Sequence, residues 1–545
     1  MGKTFNLADL FEMVVDSVPA DRTALVCGDH KVTYAQLEAR ANQLAHYMQS
    51  RNIKPGDHVG LYMYNCNEYL EAMWACFKIR AVPINVNYRY VKDELLYLFD
   101  NANMVAVVHG REFVPAIADV REAATRVHTY ISVDDHSTED LSPIEAIDYE
   151  AALSGQAIER DFAPRSEDDL FILYTGGTTG MPKGVMWPHV ALFYAAMNAG
   201  GHFHADGQCK VPEDIIVRAK ENFNMTSMAL APLMHGACWW SSCISNLAGH
   251  TVVLNPGRSL DGEQVWGIVE REKVNSVNFV GDAMGIPLMD TLNENEGRWD
   301  LSSVFSVGSG GAVFSDSLQA KYKEKFENVM ITNSFGSSET GQMGQDSGKK
   351  SDGLGAVIQS DFMDVIAEDD NGNHYFVKPG SDDMGIFSRS GHIPLGYYGD
   401  PAKTAKSFID LDGKRWMLTG DMAKIDNEGV ITVYGRGSNC INSGGEKIFP
   451  EEVEQAIKSH PAVFDTLVVA TPDDRFTEKV TAVVQLRANE NLSLADLQTH
   501  CRNHISGYKV PRELHLTSEI ARAPSGKPNY QWAKETALSK DFLVS

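Results

Sequence analysis

Short β-rich runs alternate with longer helical runs through the first half of the chain, and this order limits the fold more than any other feature. Ala24–Val26 and Lys31–Thr33 predict a hairpin. His58–Met63 and Val105–His109 predict buried strands, and the helical stretch Glu68–Arg80 lies between them. Alternating strands and helices of this kind predict an α/β fold in which sheets and helices form layers.

The order of elements changes near the end of the chain. A strand predicted at Val430–Tyr434 runs into Gly435–Asn439, a polar segment that contains two glycines. We therefore predict a boundary here, between a large layered domain at residues 1–437 and a small α+β domain at residues 438–545. The small domain is predicted to contain a helix and two strands, at Glu451–Ser459, Thr466–Ala470 and Val480–Leu486.

Composition excludes several classes of protein. The 545 residues include 73 acidic and 48 basic side chains, a formal net charge of -25, which argues against nucleic-acid binding. Charged residues make up 22% and hydrophobic residues 43% of the chain, as in ordinary globular proteins. No apolar run approaches the roughly 18 residues of a spanning helix, so we predict no transmembrane segment and a cytoplasmic protein. The charge balance leaves the oligomeric state open, a homodimer included.

The segment Tyr174–Val185 reads Tyr-Thr-Gly-Gly-Thr-Thr-Gly-Met-Pro-Lys-Gly-Val and follows an apolar run, Leu170–Leu173. Small residues let backbone N–H groups approach phosphate oxygens, the threonines add hydroxyl donors, and Lys183 adds a positive charge. We therefore predict a phosphate-holding loop. It is not a Walker loop, because Pro182 and Gly184 stand where that pattern needs glycine and serine or threonine.

Five further segments follow in a fixed order: Ser309–Ala312 (Ser-Gly-Gly-Ala), Asn333–Glu339 (Asn-Ser-Phe-Gly-Ser-Ser-Glu), Trp416–Asp421, Gly444–Pro450 and Pro524–Lys527. Together with the phosphate loop, this series resembles the signature of the adenylate-forming superfamily, in its acyl-CoA synthetase branch. The resemblance runs from about Leu7 to Tyr530. The phosphate loop, its Met-Trp-Pro continuation and the segment Gly281-Asp-Ala-Met look most like actinobacterial ligases for long-chain or steroid side-chain acids.

The resemblance implies that ATP and Mg²⁺ bind at these segments. Glu339 and Thr178 would hold the metal, which prefers oxygen ligands. Lys527 would bridge the incoming carboxylate and the α-phosphate, where negative charge builds up. The catalytic residues would thus be Lys527, Glu339 and His235. The ATP and AMP contacts implied are Thr175, Gly176, Gly177, Thr178, Thr179, Gly180, Lys183, Ser309, Gly310, Gly311, Ala312, Asn333, Ser334, Phe335, Gly336, Ser338, Asp421, Val433 and Arg436.

An activated acyl adenylate must meet a thiol without meeting water, which favours a domain that closes. The resemblance implies that the small domain is mobile and rotates at a hinge formed by Ser438 and Asn439. Its glycine-containing loop, Ser443, Gly444 and Gly445, would then reach the channel for CoA, where a narrow passage needs close backbone approach.

The acid would bind beside His235, which matches a histidine at the acyl-pocket wall of acyl-CoA synthetases. The predicted pocket residues are His235, Gly236, Trp239, Trp240 and Gly281. Amino-acid-activating relatives carry an aspartate just downstream, and this chain does not, which disfavours α-amino acids. We predict a hydrophobic acyl slot, with a core position for the two tryptophans as an equal alternative.

The function implied is an acid–thiol ligase that forms an acyl adenylate and pyrophosphate from ATP, then passes the acyl group to CoA. One alternative passes the acyl group to an amine or to a carrier-protein thiol. Others are a luciferase-like oxygenase and a binding module that senses acyl or nucleotide ligands without turnover. The joint presence of Lys527 and Glu339 argues against the sensor, because retaining a ligand needs no mobile lysine.

Overall fold

The structure is a computed structural model. It describes residues 2–175, 181–310, 314, 316–345, 355–381, 383–436, 441–448, 450–458, 460–473, 475–486, 490–521, 530–539 and 544. Its helices are α1 Leu7–Val15, α2 Tyr34–Ser50, α3 Asn67–Lys78, α4 Lys92–Asn101, α5 Val114–Arg121, α6 Tyr149–Leu153, α7 His189–Ala196, α8 Asp214–Glu221, α9 Gly236–Leu247, α10 Gly262–Arg271, α11 Gly281–Glu294, α12 Asp316–Lys325, α13 Pro401–Ser407, α14 Pro450–Lys458, α15 Leu494–Cys501 and α16 Tyr530–Ser539.

The strands are β1 Thr23–Cys27, β2 His30–Thr33, β3 His58–Tyr62, β4 Val82–Asn85, β5 Met104–Gly110, β6 Thr129–Val133, β7 Ile147–Asp148, β8 Leu170–Thr175, β9 Lys183–Pro188, β10 Thr226–Ala229, β11 Thr251–Leu254, β12 Ser276–Phe279, β13 Ser306–Gly310, β14 Met330–Ser337, β15 Gly341–Gln345, β16 Gly355–Ile358, β17 Met363–Glu368, β18 His374–Phe376, β19 Gly385–Ser390, β20 Gly396–Tyr397, β21 Phe408–Leu411, β22 Lys414–Ile425, β23 Val430–Arg436, β24 Ile441–Ser443, β25 Glu446–Ile448, β26 Val463–Asp473, β27 Thr477–Leu486 and β28 Glu513–Thr517.

The strands form four sheets. Sheet I has the order β15-β14-β13-β12-β10-β11-β1-β2 and sheet II the order β20-β9-β8-β4-β3-β5-β6-β7. Most neighbours in these two sheets are parallel, because a helix connects successive strands and returns the chain to the same edge. Sheet III, β16-β23-β22-β19-β17-β18 with β21 on β22, is antiparallel throughout the pairings described.

The main apolar core lies between sheets I and II. Helix α3 is buried along its length, and Trp74 stacks on Phe11 of α1 with ring centroids 4.2 Å apart. Trp239 of α9 stacks in the same core on Phe171 of sheet II, also at 4.2 Å. The helices thus fill a layer between two sheets, as the alternating sequence pattern predicts.

The smaller C-terminal part is built on sheet IV, β25-β24-β27-β26 with β28 on β27. Alternate residues of β26 face opposite sides of this sheet. Val468 packs in a cluster that includes α14 and α15, while Leu467 and Val469 pack in another cluster with α16. The predicted fold class, mixed α/β with a large N-terminal and a smaller C-terminal domain, is confirmed.

Several predicted elements are present with shifted ends. The predicted helix at 68–80 is α3, and the predicted strands at 58–63 and 105–109 are β3 and β5. β23 extends to Arg436, two residues beyond the predicted end at Tyr434. β9 was not predicted. It directly follows the phosphate loop and pairs with β8 in antiparallel register, so the loop connects two strands rather than a strand and a helix.

A buried ionic cluster joins the first helices to the core. The ammonium group of Lys78, which is fully buried, lies 2.9 Å from the Glu12 carboxylate and 2.8 Å from that of Glu38. Arg165 adds a bond of 2.6 Å to Glu12. Burial would raise the pKa of Glu12, but the charges of Lys78 and Arg165 outweigh it and lower the pKa to about 2. The carboxylate therefore stays ionised inside the protein.

We expect Lys78→Met to destabilise the protein by about 3–5 kcal/mol, because it leaves buried carboxylates without their cation. Lys31→Met is the matched control, since Lys31 pairs with Glu272 while more than half exposed. It should cost less than about 1 kcal/mol. Urea unfolding followed by circular dichroism measures both. An equal decrease in the free energy of unfolding of the two variants would show that the buried cluster stabilises the protein no more than a surface ion pair does.

Candidate active site

A large cavity opens at the carboxyl ends of the sheet I strands. Its volume is about 1010 Å³, and its walls come from sheet I, from α9 and from the C-terminal part of the chain. Ligands of open parallel sheets bind outside the carboxyl ends of the strands, where the loops diverge. The position and size of this cavity make it the candidate active site.

Several of the predicted nucleotide-binding and metal-binding residues meet at one end of the cavity. Thr175 ends β8, Ser309 and Gly310 end β13, and Ser334, Gly336, Ser338 and Glu339 lie on or just after β14. Asn333 pairs in register with Ser309 on the neighbouring strand. A Cβ on Gly336 would lie 2.1 Å from the carbonyl oxygen of Gly341, so the close approach of β15 to β14 here requires glycine.

Glu339 is suited to hold a metal ion. Its carboxylate lines the cavity and accepts a bond of 3.4 Å from the Tyr397 hydroxyl. Among the residues that the structure describes, no basic side chain pairs with this carboxylate. An anionic oxygen ligand that faces a cavity fits a hard cation such as Mg²⁺.

Lys183 makes a contact that the sequence did not predict. It lies at the start of β9, and its ammonium group donates to Asp400. Asp400 also caps α13 by accepting from Lys403 N at 2.8 Å. The hydrogen bond from Lys183 is the main cause that holds the pKa of Asp400 below its usual range. Lys183 is thus anchored where β9 begins, directly after the predicted phosphate loop.

Two other predicted nucleotide contacts lie in sheet III. Asp421 of β22 stands opposite Arg436 of β23 in the strand register. Val433 is fully buried in the core of this sheet with Phe387 and Ile431. Since alternate residues of β23 face opposite sides, Val433 faces the core, and the structure does not bring its side chain to the cavity.

Several predicted site residues cannot be placed. Gly176, Gly177, Thr178, Thr179, Gly180, Gly311, Ala312, Ser438, Asn439 and Lys527 lie outside the described residues, as do the side chains of Phe335 and Arg436.

The turn between β24 and β25 closes on the cavity from the C-terminal part. Gly444 and Gly445 have φ angles of 60° and 83°, a region that favours glycine, and both line the cavity with Ser443. The next residue, Glu446, accepts a bond of 2.7 Å from Arg89, and the same carboxylate oxygen lies 3.2 Å from His235 Nε2. The predicted CoA loop is therefore held beside the predicted acyl-pocket histidine.

The charges around Glu446 favour its ionised form. Burial would raise its pKa, but His235 and Arg89 outweigh burial and lower the pKa. Arg89 is itself held over the Tyr508 ring, 5.2 Å from its centroid. Glu446 thus docks as a carboxylate on a basic surface of the large domain.

A second buried contact supports the same docking. Lys509 Nζ donates to Glu94 Oε1 at 3.0 Å, and Ser506 Oγ donates to Glu94 Oε2 at 2.8 Å. Sequence reasoning missed Arg89, Glu94, Glu446 and Lys509. Only Glu446 belonged to a recognised segment, Gly444–Pro450, and it received no role there.

The outer part of the cavity is basic. Arg475 and Arg512 line it, and their guanidinium groups lie 5.0 and 4.0 Å from the centroid of the Phe476 ring. Arginine on an aromatic ring presents donors for phosphate groups. This end of the cavity suits a polyphosphate ligand.

The inner part of the cavity runs along one face of α9. Gly236, Trp240 and Ile244, spaced four residues apart, line it with His235 at the start of the helix. Trp239 faces the core instead and is only 2% exposed, so of the two tryptophans Trp240 alone contributes to the cavity wall. Among the described residues that line the cavity are Val280 and Met284 but not Gly281, whose N–H donates to Ser309 Oγ.

Comparison with known protein families identifies the family of this chain. The family model described as "AMP-binding enzyme" matches residues 11–381, and the model "AMP-binding enzyme C-terminal domain" matches residues 452–527. The chain belongs to the AMP-binding enzyme family. The resemblance drawn from the segments at 174–185, 309–312 and 333–339 is thereby confirmed.

Relatives of this AMP-binding enzyme are similar over nearly its whole length. A 3-oxocholest-4-en-26-oate–CoA ligase from Rhodococcus rhodochrous is 45% identical over 536 residues, covering 97% of this chain and 95% of the relative. A medium/long-chain-fatty-acid–CoA/3-oxocholest-4-en-26-oate–CoA ligase from Mycobacterium marinum is 45% identical over 542 residues, covering 98% and 97%.

Two solved structures have folds similar to that of this chain. The fatty acyl CoA synthetase of Mycobacterium tuberculosis has a TM-score of 0.65 at 23% identity, over 98% of this chain and 99% of that one. An amide bond synthetase from Marinactinospora thermotolerans has a TM-score of 0.78 at 22% identity, over 96% and 99%. Within the described residues of this chain, no helix has the length and apolar character to cross a membrane.

Proposed function

We propose that this AMP-binding enzyme is an ATP-dependent acid–CoA ligase. It joins the carboxylate of a bulky apolar acid to AMP, releases pyrophosphate, and then transfers the acyl group to the thiol of CoA. One observation carries the proposal. A single cavity connects Ser309 and Glu339, at the nucleotide end, with Gly444 and the basic residues Arg475 and Arg512 at the other.

In the first half-reaction, a carboxylate oxygen attacks the α-phosphorus of ATP and the bond to the β-phosphate breaks. Both reactants are anions, so the enzyme must neutralise charge and hold them in line. Mg²⁺ held by Glu339 and Thr178 would supply part of this neutralisation. Lys527 would supply the rest at the reacting oxygens, because an ammonium group is a compact positive charge.

In the second half-reaction, the CoA sulfur attacks the acyl carbonyl carbon, the thiol proton is lost, and AMP leaves with the electron pair of the C–O bond. Gly444 and Gly445 would form the channel wall at the point where the thiol enters, and Arg475 and Arg512 would hold the phosphates of CoA.

The two half-reactions need different residues of the C-terminal part at one reaction centre. Lys527 must reach it for the first, and Gly444 for the second. We therefore propose that residues 438–545 form a domain that rotates at Ser438 and Asn439 between the two steps. The contacts of Glu446 with Arg89 and His235 support this proposal, because they hold Gly444 and Gly445 at the cavity, as the second step requires.

The relatives' names and the cavity define the acid in general terms. The two relatives described above are named for 3-oxocholest-4-en-26-oate, and one of them also for medium and long-chain fatty acids. The inner cavity fits such bulky acids, since Trp240, Ile244, Val280 and Met284 form an apolar side. We propose an acid of this class.

Pyrophosphate release tests this function. The purified protein, with ATP and Mg²⁺, is given a panel of aromatic, long-chain and steroidal carboxylic acids with and without CoA, and thioesters are detected by mass spectrometry. We expect release that depends on the acid and an acyl-CoA product. Release without any thioester would indicate an amine or carrier-protein acceptor instead, and no release with any acid would contradict the ligase.

A further inference from the structure

One wall of the cavity carries a row of serines. Ser227 on β10, Ser276 on β12 and Ser306 on β13 are partners in the strand register, so they lie side by side across three adjacent parallel strands. All three line the cavity, although each is only 5–6% exposed. The residues that follow them, Met228, Val277 and Val307, point to the other face and are buried in the apolar core.

This pattern is unusual for a sheet that is covered on both faces. Strands of such parallel sheets are normally apolar on both sides. Here the core face is apolar and the cavity face is polar. The next register row on the cavity face adds Asn278 and Thr332, which also line the cavity.

The serine hydroxyls are poorly satisfied within the protein. The Asn278 amide is 3.4 Å from Ser227 Oγ and 3.3 Å from Ser276 Oγ, both long for hydrogen bonds. Ser306 Oγ has no partner among the residues that the structure describes. Each hydroxyl can donate one bond and accept two, so the row keeps hydrogen-bonding capacity directed at the cavity.

The serine row lies far from the reaction centre. Ser306 precedes Ser309 by three residues, which places the row about 10 Å deeper along the strand. On the opposite side, the wall formed by α9 runs from Gly236 to Ile244, about 12 Å along the helix. An acid whose carboxylate reacts near Ser309 and His235 would therefore extend its other end to the serines.

Two further polar groups line the same inner cavity. His202 Nε2 and Trp240 Nε1 are buried and have no hydrogen-bond partner among the described residues. Burial lowers the pKa of His202 to about 4. The imidazole is therefore neutral near pH 7 and presents one donor and one acceptor nitrogen.

The serine wall is also wide. Three strands about 4.8 Å apart present a face about 10 Å across. The first row has only serine side chains, and the second row has Ala229, Asn278 and Gly308 in register. A wall of this width fits a fused-ring body better than a single narrow hydrocarbon chain. An unsubstituted hydrocarbon bound here would also remove water from the serine hydroxyls without replacing the hydrogen bonds that they make to it.

We infer that the acid of this enzyme is a fused-ring carboxylic acid with a ketone or hydroxyl oxygen at the end remote from its carboxylate, bound there by Ser227, Ser276, Ser306 and His202. The inference rests on the proposed ligase function and narrows its substrate. These side chains determine specificity and take no part in the bond changes. They help the enzyme to distinguish acids that differ only in the oxygen at the end remote from the carboxylate.

The test compares three acids: 3-oxocholest-4-en-26-oate, the same acid without its 3-oxo group, and palmitate. For the unmodified enzyme, we expect kcat/KM for thioester formation to favour the 3-oxo acid over its deoxy counterpart by about tenfold or more. The combined variant Ser227→Ala, Ser276→Ala, Ser306→Ala should reduce this preference to about threefold or less, by lowering kcat/KM for the 3-oxo acid alone.

Two further variants make the test specific. His202→Leu should reduce the same preference, and it provides the test if the triple variant does not fold. Ser303→Ala is the matched control, because its hydroxyl bonds the Val274 carbonyl outside the cavity, and it should leave the preference unchanged.

Equal kcat/KM values for the 3-oxo and deoxy acids with the unmodified enzyme would overturn the inference. So would variants that slow both acids to the same extent. In either case, turnover of palmitate or of the deoxy acid would leave the ligase function standing. A complete lack of thioester with all three acids would contradict the proposed function itself.

Discussion

Replacing Lys527 with alanine is expected to slow acyl-adenylate formation by about 10²–10³-fold, the usual cost of removing one group that stabilises developing charge. The same variant should convert a supplied acyl adenylate and CoA into thioester at close to the unmodified rate. The reason is that the proposed mechanism needs Lys527 only while the carboxylate attacks ATP. Pyrophosphate exchange into ATP measures the first half-reaction, and thioester formation from synthetic acyl adenylate measures the second.

Lys534→Ala is the matched control for this prediction. Lys534 is an exposed residue of α16, close to Lys527 in the chain, and its removal should change neither rate. If Lys527→Ala slowed both half-reactions equally, this would contradict the proposal that Lys527 acts only in the first. A normal exchange rate would show that Lys527 is not the residue that bridges the acid and ATP.

Replacing Glu446 with glutamine is expected to give the opposite result. The change removes the charge that Arg89 and His235 hold in the docked arrangement, and leaves Arg89 without its partner. Breaking one side of a buried, hydrogen-bonded ion pair between docked surfaces costs about 2–5 kcal/mol. Thioester formation should therefore fall by at least about thirtyfold, while pyrophosphate exchange stays close to normal.

Glu519→Gln is the control, since Glu519 is exposed on the C-terminal part away from this contact. A small-angle X-ray scattering measurement with a non-hydrolysable acyl-adenylate analogue and CoA gives a second readout. Glu446→Gln should shift the particle to a different radius of gyration, as expected if the docked arrangement is lost. Equal slowing of both half-reactions would indicate a general structural defect instead.

The sequence predicted those features that depend on local order. Glycines, hydroxyls and charges of the segments 309–312 and 333–339 were recognised from their local sequence alone. These segments lie at the carboxyl ends of β13 and β14, and parallel strands bring their carboxyl ends to one edge. The structure accordingly places Ser309, Ser338 and Glu339 at one end of a single cavity. A capping box formed by Thr33 and Gln36 begins α2, and such a cap depends only on residues close together in the chain.

Features that depend on contacts distant in the chain could not be predicted. The bonds from Arg89 to Glu446 and from Lys509 to Glu94 join residues more than 350 positions apart. The serine row arises from the register of three strands, and no single segment contains it.

The orientation of the two tryptophans could not be predicted for a different reason. Adjacent residues on a helix point about 100° apart, so Trp239 and Trp240 had to face different surroundings. The sequence could not tell which of them would face the cavity. The structure assigns Trp239 to the core and Trp240 to the cavity wall.

Following oxygen-18 from an acid labelled in both carboxylate oxygens tests most directly whether the enzyme forms an acyl adenylate and then transfers the acyl group to CoA. We expect that, after a complete reaction, AMP carries one labelled oxygen and the thioester carbonyl carries the other. Label in pyrophosphate or inorganic phosphate, or AMP without label beside a labelled thioester, would contradict it.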